Sequence, residues 1–133
     1  MQPLYQFADL GLLFVRIIIC AIFFAHGTSK WKWWTSEPTP QTSTTMRNIL
    51  RILSVCEPLG AVAMLFGFLT IPASLALSVV MLGAIYNKIF VWKNKFFGAG
   101  GWEFELLILV VLILFIFVGA GVNSLDFVLH IGY

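Results

Sequence analysis

Apolar positions along this chain fall into four long runs, and polar residues collect in the gaps between them. The runs cover about residues 10–27, 49–69, 71–91 and 102–122, and at ~1.5 Å per residue they have the length to cross a hydrocarbon core of ~30 Å. This pattern predicts an all-α fold, an integral membrane four-helix bundle, with residues 1–133 forming a single membrane domain. The last run is the most telling. It opens with Gly100, Gly101 and Trp102, carries Glu103 and Glu105, continues without a charge from 106 to 118, and closes on Gly119, Gly121, Ser124 and Asp126.

The gaps carry the expected punctuation. Trp31, Trp33 and Trp34, with Lys30 and Lys32, mark where the first run leaves lipid, because indole rings and lysine heads both favour the headgroup zone. A polar loop of about residues 31–48 follows, in which Pro38 and Pro40 prevent a regular helix. Pro58 removes one backbone donor from the second run and predicts a kink there. Gly67, Thr70 and Pro72 leave so short a turn that the second and third helices must be antiparallel neighbours. Lys88, Trp92, Lys93 and Lys95 make another interfacial rim, and Ser124 can cap a short tail helix.

Composition sharpens this picture. The chain is 60% hydrophobic and 11% charged, too little polar material to cover a soluble globule of 133 residues. A net charge of +2, with no basic run interleaved with aromatics outside the apolar segments, excludes a nucleic-acid surface. Cys20 and Cys56 both sit in apolar runs without CxxC spacing, so they predict packing residues, with no metal site among them. The first run is not read as a cleaved signal, since no Lys or Arg precedes it and Asp9 occupies the place of a positive n-region.

Every Lys and Arg except Arg16 flanks the first or third loop. By the positive-inside rule the loops between helices one and two and between helices three and four are expected to be cytoplasmic, with both termini outward.

Five charges fall in or near lipid and need partners: Arg16, Glu57, Lys88, Glu103 and Glu105. A central arginine costs roughly 2.5–3.5 kcal/mol on insertion scales, which an acid on a neighbouring helix can offset through a charge-assisted hydrogen bond. Antiparallel helices bring Arg16 and Glu57 to similar depth, so this is the first-choice pair, with Glu103 the alternative partner. Glu103 and Glu105 differ by about 200° around a helix and cannot face the same partner. Glu103 is expected inward and Glu105 toward headgroups or a neighbouring subunit. Arg16, Glu57, Glu103 and Lys88 thus form the expected buried network. His26, Lys30 and Trp102 are the candidate proton or quinone contacts, and Trp31, Trp33, Trp34 and Trp92 the interfacial anchors.

These residues carry a resemblance. Gly11, Leu12, Leu13 and Arg16, then Phe24, His26, Gly27 and Lys30, then Glu57, Gly60 and Gly67, and above all Gly100, Gly101, Trp102, Glu103, Gly119, Gly121, Ser124, Leu125 and Asp126 resemble the DoxX family of small four-span bacterial membrane proteins. That family includes the small subunit of a thiosulfate:quinone oxidoreductase. Two departures stand out: Glu105 replaces an expected proline, and the first loop is rich in Thr and Pro.

The resemblance implies a place in a bacterial inner membrane, in contact with the lipid bilayer and with other protein subunits. The first functional expectation is an accessory subunit of a larger redox-linked assembly, with no cofactor bound in the chain itself. The sequence has no facing histidine pair, phosphate-binding glycine loop, or nucleophile with base and orienter. The second is a quinone-linked oxidoreductase subunit, with quinone entering among Phe23, Phe24, Trp102 and Phe104 while Arg16, Glu57 and His26 handle protons. The third is a small-solute transporter that uses the same charges as its pathway.

Overall fold

The computed structural model describes residues 7–131 apart from Pro38 and Gln41. Among these residues the chain is all-α: α1 (Ala8–Ser29), a 3-10 turn (Trp31–Trp34), α2 (Thr44–Phe66), α3 (Thr70–Tyr86) continued by a π turn (Asn87–Val91), α4 (Glu103–Val118) and a short α5 (Leu125–Val128). Helix α1 packs on α2, α2 on α3, and α3 on α4. Three stretches, Ala8–Trp34, Thr44–Phe66 and Thr70–Val91, are long and apolar enough to cross a membrane. Large apolar side chains cover the outside, among them Phe117 at 84% exposure and Leu59 at 66%, a surface suited to acyl chains and unsuited to water.

Helix α2 begins at Thr44, earlier than the hydrophobic run implies, because Ser43 accepts a hydrogen bond from the Met46 N–H and caps the first turn. It continues unbroken through Pro58. Helix α4 is shorter than expected. Its 16 residues rise ~24 Å, and Gly119, at φ 75°, turns the chain away before residue 122. The segment after it folds back over the bundle end, where Ser124 accepts from the Phe127 N–H and caps α5.

The core is a stack of one stripe from each helix: Ile19 and Phe23 of α1, Ala61 and Met64 of α2, Leu77 and Met81 of α3, and Ile108, Leu112 and Phe115 of α4. Two glycines set the approach of the helices. A side chain at Gly27 would overlap the Pro58 ring where α1 crosses α2, and one at Gly60 would meet Leu77 of α3.

Candidate functional site

Helical side chains lean toward the N-terminus of their own helix. In an antiparallel hairpin, a long side chain late in the first helix and one deeper in the second therefore converge. Lys30, just past the end of α1, reaches back into the bundle and donates to Glu57 of α2 at 2.6 Å. Its Nζ also donates to the His26 carbonyl at 3.0 Å. The Glu57 side chain is 3% exposed and that of Lys30 19%, so the acid lies in the interior and the lysine bridges it toward the rim.

The same rule corrects the expected Arg16–Glu57 pair. Arg16 lies early in α1 and leans toward the bundle end that holds the chain termini, while Glu57 leans toward the loop end. The Arg16 guanidinium lies against Gly67, ten residues or roughly 15 Å along α2 from Glu57, and donates through Nη2 to the Asn123 carbonyl. Arg16 is fully buried, so it does turn inward, but it serves the opposite end of the molecule.

The second hairpin repeats the first. Lys88, in the π turn after α3, donates to Glu105 at 2.7 Å and to the Gly101 carbonyl at 2.9 Å. Here the expected assignment of the two acids is reversed. Glu105 is 7% exposed and continues the buried stripe of Ile108, Leu109, Leu112 and Phe115, whereas Glu103 is exposed. A spacing of three and four puts 105 on the inward face and rotates 103 off it.

At the terminal end, hydrogen bonds tie the tail to the helices. The Val122 N–H donates to Asp9 at 3.0 Å, Arg16 holds the Asn123 carbonyl, and the Asp126 N–H donates to the Gly67 carbonyl at 2.8 Å. The Asp126 carboxylate in turn accepts from the N–H groups of Leu69 at 2.7 Å and Thr70 at 2.8 Å. Helix α3 starts on Leu69, which has no capping side chain and sits at φ 50°; Asp126 supplies the cap from a distance and brings negative charge to the positive helix end. In the sequence Asp126 stands only as the close of the last motif. The missing local cap at the start of α3 is the signal that could have pointed to it.

Tryptophans at the loop end hold the 3-10 turn to α2. Pro58 has no N–H for the carbonyl four residues back, that of Ser54. The indole N–H of Trp31 donates to this carbonyl at 3.0 Å. Trp34 donates to the Ser54 hydroxyl at 2.8 Å, and Arg51 donates to the carbonyls of Trp33 at 2.9 Å and Trp34 at 3.3 Å. The 3-10 turn is thereby stapled along α2. Trp92 is 61% exposed, and Trp102 is half-buried with its ring edge-on to Phe96 at 4.6 Å.

Of the expected proton and quinone contacts, His26 and Lys30 touch through the His26 carbonyl, and Trp102 packs against Phe96. His26 is exposed, Phe23 is in the core at 1% exposure, and Arg16 occupies the opposite end from Trp102. Both cysteines are free thiols. Among the described residues no three His, Cys, Asp or Glu side chains gather as a metal would require. The cavities among the described residues include one of about 280 Å³ between the start of α3 and the end of α4 and an apolar groove of about 350 Å³ between α1 and α4.

These helices and ion pairs define an all-α membrane protein whose buried charges join helix to helix. The chain belongs to the DoxX family, whose pattern matches residues 11–92. It is similar to an uncharacterized protein of Haemophilus influenzae, 31% identical over 128 residues that cover 95% of this chain and 96% of the relative. No solved structure matches the chain. The family match takes in α1 to α3 and stops before α4, where sequence reading placed the most specific likeness; the Haemophilus relative extends over that region.

Proposed function

We propose that this chain is an accessory membrane subunit of a larger redox-linked assembly. The observation that carries this reading is how its buried charges are used. Lys30 and Glu57 join α1 to α2, Lys88 and Glu105 join α3 to α4, and Arg16 and Asp126 tie down the tail. Each serves as a cross-link in a rigid membrane body, as a scaffold requires. The redox link comes from the likeness to the family. In this reading the protein lies in a bacterial inner membrane with its lysine-rich loops cytoplasmic and both termini outward.

Purification in a mild detergent tests the reading. Partner chains should travel with the protein, one of them bearing a redox chromophore visible in its absorption spectrum. A lone, monodisperse copy would remove the proposal.

One observation favours the quinone-linked reading as a second choice. Phe14, Ile18, Phe104 and Leu107 line the apolar groove between α1 and α4, which has the character to admit the isoprenoid chain of a quinone from the bilayer. Quinone reduction measured with Ile18→Trp and Leu107→Trp, which fill the groove, decides it: turnover unchanged in both variants ends this alternative.

A further inference from the structure

The loop that joins α3 to α4 carries two lysines that the bundle does not use. Lys30 and Lys88 are engaged by buried acids. Lys93 and Lys95 are both exposed, and among the described residues neither forms a salt bridge, not even with the exposed Glu103 in the first turn of α4. The loop around them is nonetheless held in one shape. The Trp92 N–H donates to the Asn87 carbonyl at 2.9 Å, the Asn94 N–H to the Lys88 carbonyl at 2.8 Å, and the Glu103 N–H to the Phe96 carbonyl at 3.0 Å. The Asn94 side chain donates to the Gly100 carbonyl at 2.8 Å. Lys93 stands at φ 53°, a left-handed backbone that a lysine adopts only where its surroundings impose it. Asn94 is thus turned into the loop, while the lysines on either side of it stay outside.

Depth says what these ammonium groups meet. The apolar stretch Thr70–Val91 is long enough to cross a membrane and ends one residue before Trp92, so residues 92–97 lie at the level of the headgroups. We propose that this loop is a docking site for an anionic phospholipid, with Lys93 and Lys95 meeting its headgroup and the exposed rings of Trp92 and Phe97 lying against its upper acyl carbons. Charge complementarity carries the choice, since two unneutralised positive charges sit where lipid phosphates are concentrated. A zwitterionic lipid brings its own cation, so the attraction is kept for a headgroup of net negative charge. An acidic protein surface would answer the lysines and leave the rings without a seat; one lipid answers both. The loop is already ordered, so little conformational freedom is lost on binding. Neither lysine belongs to a lysine–glutamate pair, and the proposal does not depend on the accessory-subunit reading.

The test is native mass spectrometry of the full chain in detergent, titrated with dioleoyl phosphatidylglycerol or dioleoyl phosphatidylcholine. A lysine near an anionic surface contributes about fivefold, so the two together should make phosphatidylglycerol bind about 25-fold tighter than phosphatidylcholine. Lys93→Asn, which tolerates the left-handed backbone, combined with Lys95→Gln should remove this preference and leave phosphatidylcholine binding unchanged. Lys93→Arg with Lys95→Arg keeps both charges and should keep the preference. Lys32→Gln, at an exposed lysine of the 3-10 turn, should also keep it, whereas a diffuse charge effect of the whole loop end would make it fall. The proposal is overturned by equal affinity for the two lipids, by an undiminished preference in the neutral double variant, by its loss in the arginine variant, or by an equal fall in Lys32→Gln.

Discussion

Trp31 donates its indole N–H to the carbonyl of Ser54, the acceptor that Pro58 leaves open in α2. A proline in a membrane helix frees a carbonyl that lipid cannot satisfy. Here the segment just after α1 satisfies it, so the same contact that repairs α2 also fixes the 3-10 turn against it. Trp31→Phe keeps most of the ring and loses the donor. It should cost about 1–2 kcal/mol in reversible unfolding. Pro58→Ala supplies a local donor, so Trp31→Phe made on that background should cost measurably less; equal costs on both backgrounds would refute the repair.

Glu57 answers Lys30, not Arg16. Removing one partner of a buried pair leaves an uncompensated charge and costs about 3–5 kcal/mol. Because Lys30 is partly exposed at the rim, the lower end of that range is expected for Glu57→Gln. A double-mutant cycle between Lys30→Met and Glu57→Gln should show strong coupling. The cycle between Arg16→Met and Glu57→Gln should be additive to within about 0.5 kcal/mol.

The two acids of α4 should respond in opposite ways. Glu105→Gln breaks the contact to Lys88 and should lower the midpoint of thermal unfolding by several degrees. Glu103→Gln touches an exposed side chain and should leave the midpoint unchanged. A destabilised Glu103→Gln with an unaffected Glu105→Gln would reverse the assignment made from the buried stripe.

Asp126 caps a helix that lies 57 and 56 residues away at Leu69 and Thr70. Asp126→Ala should cost about 1–2 kcal/mol, as loss of a helix cap does, and should speed hydrogen exchange at the Leu69 and Thr70 amides ahead of the rest of α3. Gly67→Ala should be worse, since Gly67 sits at φ 59° with Arg16, Ser124 and Ala120 pressed against it. Unchanged exchange at those two amides in Asp126→Ala would show that the tail does not hold the start of α3.

The direction of insertion is open to a direct measurement. On a Cys20→Ala, Cys56→Ala background, Thr45→Cys reports on the first loop and Val128→Cys on the tail, and both positions are exposed. An impermeant maleimide added to intact spheroplasts should label Val128→Cys at once and Thr45→Cys only after permeabilisation. The opposite order would invert the orientation assigned from the loop lysines.

The helical class and its membrane setting were legible in the sequence because both follow from the length and apolar character of continuous runs, which need no knowledge of neighbours. The need to neutralise Arg16, Glu57 and Lys88 was legible for a similar reason, since a charge in an apolar run demands a partner whatever the fold. Which partner it finds is another matter. Helix α4 is apolar nearly all round, so no stripe in the sequence distinguishes the face of Glu105 from that of Glu103; the inward face is set by where α3 lies. Arg16 and Glu57 have comparable depth on paper, but their side chains lean apart because each points to the start of its own helix. The caps and repairs, Asp126 on α3 and Trp31 on the Pro58 gap, join segments far apart in the chain or across a loop. They exist only once the helices have packed, because a hydrogen bond depends on distances that no linear spacing contains.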